Sequence, residues 1–237
     1  DMTDVLLENN GTLDKYIGDA IVAFYGAPID VDDHEYWACK TAIEMQDKLA
    51  ILREGWQREG DRWPEIVHNM QNRIGISSGE MVTGNMGSEA RMNYTMMGDN
   101  VNTAARLESS AKQYGVYIQI ADSTYQAVKE KVVVRDLDNV VVMGKNEPVK
   151  VWELISEVGK EPDQYKKILP AYHEALDLYK NQEWSKAIDA FKASDELEEM
   201  FGGRKTNPSR IYIPRCEHYQ ENPPGEDWDG VWTLTSK

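Results

Sequence analysis

The dipeptide Gly18-Asp19 stands between two short runs, "TLDKYI" and "AIVAFYG", that are rich in β-branched and aromatic residues. A Gly-Asp pair in that setting predicts a tight hairpin over residues 12 to 25 with Asp19 at its tip. Two charges, Lys15 and Asp19, lie four residues apart inside this otherwise apolar segment. Strand-edge lysines and turn aspartates are common for structural reasons alone, so the hairpin by itself gives neither charge a task.

The hairpin opens a longer mixed pattern. Asp33 is a candidate N-cap, and Ala38, Ala42, Met45, Leu49 and Leu52 recur at spacings of four and three, the stripe of a helix that covers a sheet. Residues 71 to 85, "QNRIGISSGEMVTGN", read as another pair of strands, with Gly75, Gly79 and Gly84 as turn glycines or points of close approach. "GDNVNTAARLESSAKQYG" predicts a helix capped at Asp99 or Asn100, apolar or small at Val101, Ala104, Ala105, Leu107 and Ala111, and stopped by Gly115. "VYIQIA", a short helix from Asp122, "VVVRDLDNVVV" and "EPVKVWELI" complete the pattern, so residues 1–157 read as one α/β (α+β) domain. Beyond "SEVGKEPDQ" the period is helical only. Leu169, Tyr172, Leu176 and Tyr179 share one face, and Trp184, Ile188 and Phe191 another. Residues 158–237 therefore read as a small all-α hairpin resembling a single tetratricopeptide unit, followed by an ordered arm, "RCEHYQENPPGEDWDGVWTLTSK". One such unit buries its own face poorly, so it should pack against the main domain or a partner chain.

Composition excludes several classes. With 41% hydrophobic residues in 237, the chain has ample core material. A formal charge of −15, with no dense Lys/Arg run, argues against nucleic acid as a partner. Cys39 and Cys216 lie far apart without metal spacing, which fits a reducing compartment with neither disulfide nor zinc. No apolar run approaches the roughly 20 residues of a membrane helix and no leader peptide opens the chain, so the expected location is cytoplasmic. Because the sequence opens on Asp1 in mid-element, further sequence is expected upstream. His34, His68, His173 and His218 show no mutual spacing suited to a metal or a triad, and the glycines do not form a GxxxxGK phosphate loop.

Three blocks in order, "GTLDKYIGDAIVAFYGAP", "NRIGISSGEMVTGNMGSEARMNYTMMGDNVNTAARLES" and "GKNEPVKVWEL", resemble the catalytic domain of class III nucleotidyl cyclases, the adenylyl and guanylyl cyclases. The resemblance covers residues 1 to about 157, and the helical segment and tail look like an extension found on some bacterial members. It implies a ferredoxin-like sheet covered by helices and cyclisation of ATP with two Mg²⁺ (or Mn²⁺) ions per site. Asp19 matches a metal ligand, and Lys15 matches the residue that reads the purine. A lysine has three donors and no acceptor, so it suits adenine N1 and not the N–H of guanine. Thr95, where vertebrate adenylyl cyclases have Asp, matches the partner of the exocyclic amine. Asn102 matches the residue that orients the ribose, and Arg106 the one that stabilises charge on the α-phosphate. Two departures stand out: the first metal Asp of the family has no match in this sequence, and its phosphate-binding Lys aligns with Met143, leaving Lys145 as a substitute. The resemblance further implies a homodimer whose sites are shared, one chain giving the metal Asp and the other Lys, Thr, Asn and Arg, with a sensor domain upstream. A guanylyl cyclase and a non-catalytic cyclase-like module are the alternatives.

Overall fold

A computed structural model describes residues 1–141, 148–198, 204–225 and 227–232. A short helix, α1 (Met2–Glu8), leads into strands β1 (Thr12–Ile17) and β2 (Ala20–Phe24). Ile17 pairs with Ala20, so Gly18 and Asp19 form the expected two-residue loop, and Gly18 takes the positive φ (62°) such a loop requires. Then come α2 (His34–Arg58), α3 (Glu65–His68), β3 (Ile74–Ile76), β4 (Val82–Ser88), β5 (Arg91–Met97) and α4 (Asp99–Tyr114). The expectation of two strands within residues 71 to 85 holds, but they do not pair with each other: β4 forms a second hairpin with β5, and β3 joins a larger sheet. That sheet is completed by β6 (Ile118–Ala121), β7 (Val132–Val141) and β8 (Pro148–Glu157), in the order β3-β6-β8-β7, with α5 (Asp122–Val128) between β6 and β7. Only β3 and β6 run parallel.

Strand periodicity explains the layering. On β6, Ile118 and Ile120 pack with Cys39 and Ala42 of α2, while Ala121 packs with Leu107 and Ala111 of α4 and Gln119 accepts a hydrogen bond from Ser110 at 2.6 Å. Alternate residues thus face α2 and α4 on opposite sides, which is why all four residues of β6 are buried. Gly75 is not a turn glycine: a Cβ there would lie 2.1 Å from the Ala104 carbonyl oxygen, so its missing side chain lets α4 close on the sheet. Within α2 the buried stripe is Cys39, Thr41, Ala42, Met45 and Leu49; Ala38 and Leu52 of the expected stripe are only partly covered. Asp33 precedes α2 but makes no side-chain cap; its carboxylate pairs with Lys131 at 2.9 Å instead.

Among the described residues the C-terminal region holds three helices, not two: α6 (Tyr165–Lys180), α7 (Trp184–Leu197) and α8 (Pro208–Glu221). The start of the expected ordered arm, Arg215 to Glu221, is the second half of α8, and Tyr212, Cys216 and Tyr219 of this helix complete one apolar cluster with Tyr172, Leu176, Tyr179, Ile188 and Phe191. This unit packs on the main domain, as a bare helical pair would have to. Tyr212 Oη donates to the Leu137 carbonyl at 2.6 Å, and Arg215 meets Asp138 at 2.7 Å. Arg135, fully buried on β7, bonds Glu153 at 2.7 Å and also pairs with Glu198 at the end of α7.

Candidate active site

Two hairpins bring the candidate base-reading residues together. Phe24 of β2 and Tyr94 of β5 lie with ring centroids 6.1 Å apart, setting the first hairpin against the second. Across that contact Lys15 Nζ donates to Thr95 Oγ1 at 3.2 Å, although 80 residues separate them. Thr95 Oγ1 in turn donates to Asp14 Oδ2 at 2.7 Å, and Lys15 Nζ stands 3.5 Å from the same oxygen. Consecutive strand residues ordinarily point to opposite faces. Here Leu13 pairs with Ala23 and Lys15 with Val22, so Asp14 is the extra residue of a β-bulge, a feature that re-aims side chains. Asp14 and Lys15 consequently reach one hydroxyl from neighbouring positions. The Asp14 side chain is 2% exposed and that of Lys15 45%, so a buried carboxylate underlies an open ammonium.

Asp14 is the residue that sequence reasoning passed over. An Asp beside a strand Lys carries no distinctive pattern, and the bulge that turns it inward is visible only once the strands are paired.

The second hairpin feeds directly into α4. Its N-cap position is Gly98, not Asp99 or Asn100. The Asn100 side chain ties the helix start to the loop between β3 and β4, accepting from Ser77 Oγ at 3.0 Å and donating to the Glu80 carbonyl at 3.3 Å. Thr103, Leu107, Ala111 and Tyr114 form the buried stripe, and the helix ends at Gly115 as expected. Asn102 and Arg106, four apart, share another face; Asn102 is exposed and Arg106 partly so.

Asp19 is exposed at the tip of the first hairpin. Among the described residues no three His, Cys, Asp or Glu side chains gather to hold a metal ion. Lys145 and Met143 lie outside the described residues. The cavity of about 400 Å³ between α2 and β8, lined by Gln46, Asp47, His68, Tyr117 and Glu153, contains none of the candidate residues. Of the candidate groups Lys15, Asp19 and Asn102 are exposed, and Thr95 and Arg106 are partly covered. No described helix is long and apolar enough to cross a membrane.

Comparison with known proteins identifies the domain. The model of the adenylate and guanylate cyclase catalytic domain matches residues 2–156. The terminal-differentiation specific adenylate cyclase of Dictyostelium discoideum is 33% identical over 215 residues, 89% of this chain and 10% of that protein, so this likeness extends into the helical unit. Adenylate cyclase 1 of Rhizobium meliloti is 29% identical over 156 residues, 66% of this chain and 23% of its own length. The chain thus spans less than a quarter of either relative. Among solved structures, the adenylyl cyclase CyaB from P. aeruginosa matches with a TM-score of 0.58 at 29% identity, over 68% of this chain and 80% of that one. The guanylyl cyclase Cya2 matches at 0.56 and 32%, over 67% and 77%. With a family model spanning well over half its length and solved cyclase domains sharing its fold, the chain belongs to the adenylate and guanylate cyclase catalytic domain family.

Proposed function

We propose that this domain is the catalytic part of an adenylyl cyclase that converts ATP to 3′,5′-cyclic AMP and pyrophosphate as a homodimer. Overall likeness does not choose between the two purines, since an adenylyl and a guanylyl cyclase match almost equally well. The choice rests on the Lys15–Thr95 contact. Adenine presents an acceptor at N1 and a donor at its amine; guanine presents the reverse. An ammonium beside a hydroxyl oxygen offers donor and acceptor in the order adenine needs.

The remaining roles follow from position and chemistry. Arg106 carries a planar, permanently charged fork suited to an α-phosphate gaining charge, and Asn102 sits one turn before it on the same face, within reach of a ribose held there. Asp19 supplies one carboxylate toward a divalent ion, Mg²⁺ or Mn²⁺, and further ligands are needed to complete a pair. Lys145 remains a proposed phosphate contact. Because Asp19 and Arg106 are assigned to different chains of each site, each site is complete only against a second copy, with regulation supplied by domains outside this one.

The test is turnover of ATP and GTP by the full-length protein. ATP is expected to be the preferred substrate, and Lys15→Glu, which replaces three donors by acceptors, should erode that preference. Preferred turnover of GTP would make this a guanylyl cyclase, and no turnover of either by a correctly assembled dimer would make it a non-catalytic module.

A further inference from the structure

Building on the assignment of Thr95 to the purine amine, we infer that Asp14 sets the base preference by fixing the proton of the Thr95 hydroxyl. A threonine hydroxyl is an ambiguous reader. It holds one proton and two lone pairs, so it can accept from the amine of adenine or donate to the carbonyl oxygen of guanine. In this chain the ambiguity is removed. The proton points to Asp14 Oδ2 at 2.7 Å, and one lone pair receives Lys15 Nζ at 3.2 Å. What remains is one lone pair, which serves an amine and repels a carbonyl. Lys15, with three protons, meets Thr95 and the Asp14 carboxylate and keeps donor capacity for a ring nitrogen.

Two further features set Asp14 apart from a merely structural residue. It occupies the bulged position of β1, where the ladder gives up a regular pair, and this is what turns its side chain to the same hydroxyl as Lys15. Its other oxygen, Oδ1, is buried without a hydrogen-bond partner. Folding alone favours full pairing or an apolar residue at such a place. A carboxylate is the one group here that only accepts, so it cannot reverse the Thr95 dipole. Asp14 touches no substrate in this account and is a positioning residue.

The experiment compares kcat/KM for ATP and for GTP in the full-length protein across four variants. Asp14→Ala is expected to lower the ATP-to-GTP ratio by about tenfold, because the freed hydroxyl can donate to guanine. Asp14→Asn, of the same size but able to donate as well as accept, no longer fixes the proton and should give a ratio between the native one and that of Asp14→Ala. Should the alanine variant not fold, Asp14→Leu, near in shape and without an acceptor, takes its place. Thr95→Val, which removes the hydroxyl, lowers the ratio by itself, and adding Asp14→Ala to it should change the ratio no further. A folded Asp14→Ala or Asp14→Leu protein with the native ratio, in a background where Thr95→Val does shift it, overturns the role of Asp14 alone. A native ratio in Thr95→Val overturns the assignment of Thr95 on which it rests. A further drop when Asp14→Ala is added to Thr95→Val shows that Asp14 acts through something other than the hydroxyl, and also overturns the inference.

Discussion

The two hairpins and the C-terminal helical unit treat exposed surface in opposite ways. On the hairpins Tyr16, Ile17, Val82, Met92 and Met97 are each more than half exposed, and Asp19 is open. In the helical unit Tyr172, Tyr179, Phe191 and Cys216 are sealed, and the charges that meet the sheet are paired: Arg135 with Glu153 and Glu198, Arg215 with Asp138. A surface that has settled its apolar area and charges within one chain is a fold boundary. One that leaves several large apolar side chains open fits a place where another molecule completes it. The contrast supports reading the hairpin side as the shared face of the proposed homodimer and the helical unit as part of each protomer's own body.

The strongest attempt to break that contrast uses two inactive proteins. Asp19→Ala and Arg106→Ala, each in the full-length chain, are expected to lose activity by orders of magnitude. If the site is shared, a mixed dimer gathers both lesions in one site and neither in the other. After subunit exchange, half the dimers are mixed and each has one intact site, so activity should recover to about a quarter of wild type. No recovery, with exchange verified by labelled chains, places the whole site within one protomer.

A smaller effect should separate the two regions by stability. Arg135→Ala leaves Glu153 buried without its cation and Glu198 with Arg204 alone, and is expected to cost about 3–5 kcal/mol in urea unfolding. Ile17→Ser, on the exposed hairpin, should change protomer stability by less than about 0.5 kcal/mol while weakening self-association at low protein concentration. Equal costs for the two would mean that Ile17 is as integral to the protomer as Arg135.

What could be read from the sequence follows the range of the interactions. The Gly18-Asp19 turn and the end of α4 at Gly115 are set within a few residues, and both stand where the sequence placed them. The third terminal helix was hidden because Pro214 interrupts its pattern and charges surround it. Its start carries a local signal that the sequence reading passed over, Asn207 followed by Pro208, and in the structure Asn207 caps the helix by accepting from Arg210 N at 3.1 Å. The ties that fix it, from Tyr212 to Leu137 and from Arg215 to Asp138, join residues more than 70 apart and leave no local mark. The site divides the same way. Lys15, Thr95, Asn102 and Arg106 were picked out by motif, whereas the role of Asp14 depends on a bulge that exists only in the paired hairpin.

The mildest test asks whether the helical unit and the sheet unfold as one body, and the two cysteines report one region each. Cys39 packs between α2 and the sheet, Cys216 inside the helical cluster, and both are fully buried. Burial pushes each thiol from about 9 up to about 12. The raised value means that the fold favours the protonated thiol. This contribution is fully present below pH 9 and is lost as pH rises toward 12. Near neutral pH, iodoacetamide should therefore modify the native protein slowly at both sites, and the urea midpoint should fall between pH 9 and 12, less steeply in Cys39→Ala. As urea is raised at neutral pH, both thiols should become reactive over the same narrow range, because the Arg135, Tyr212 and Arg215 contacts make separate opening costly. Reaction of Cys216 at clearly lower urea than Cys39 would show the helical unit opening alone, and the self-contained region would then be the looser of the two.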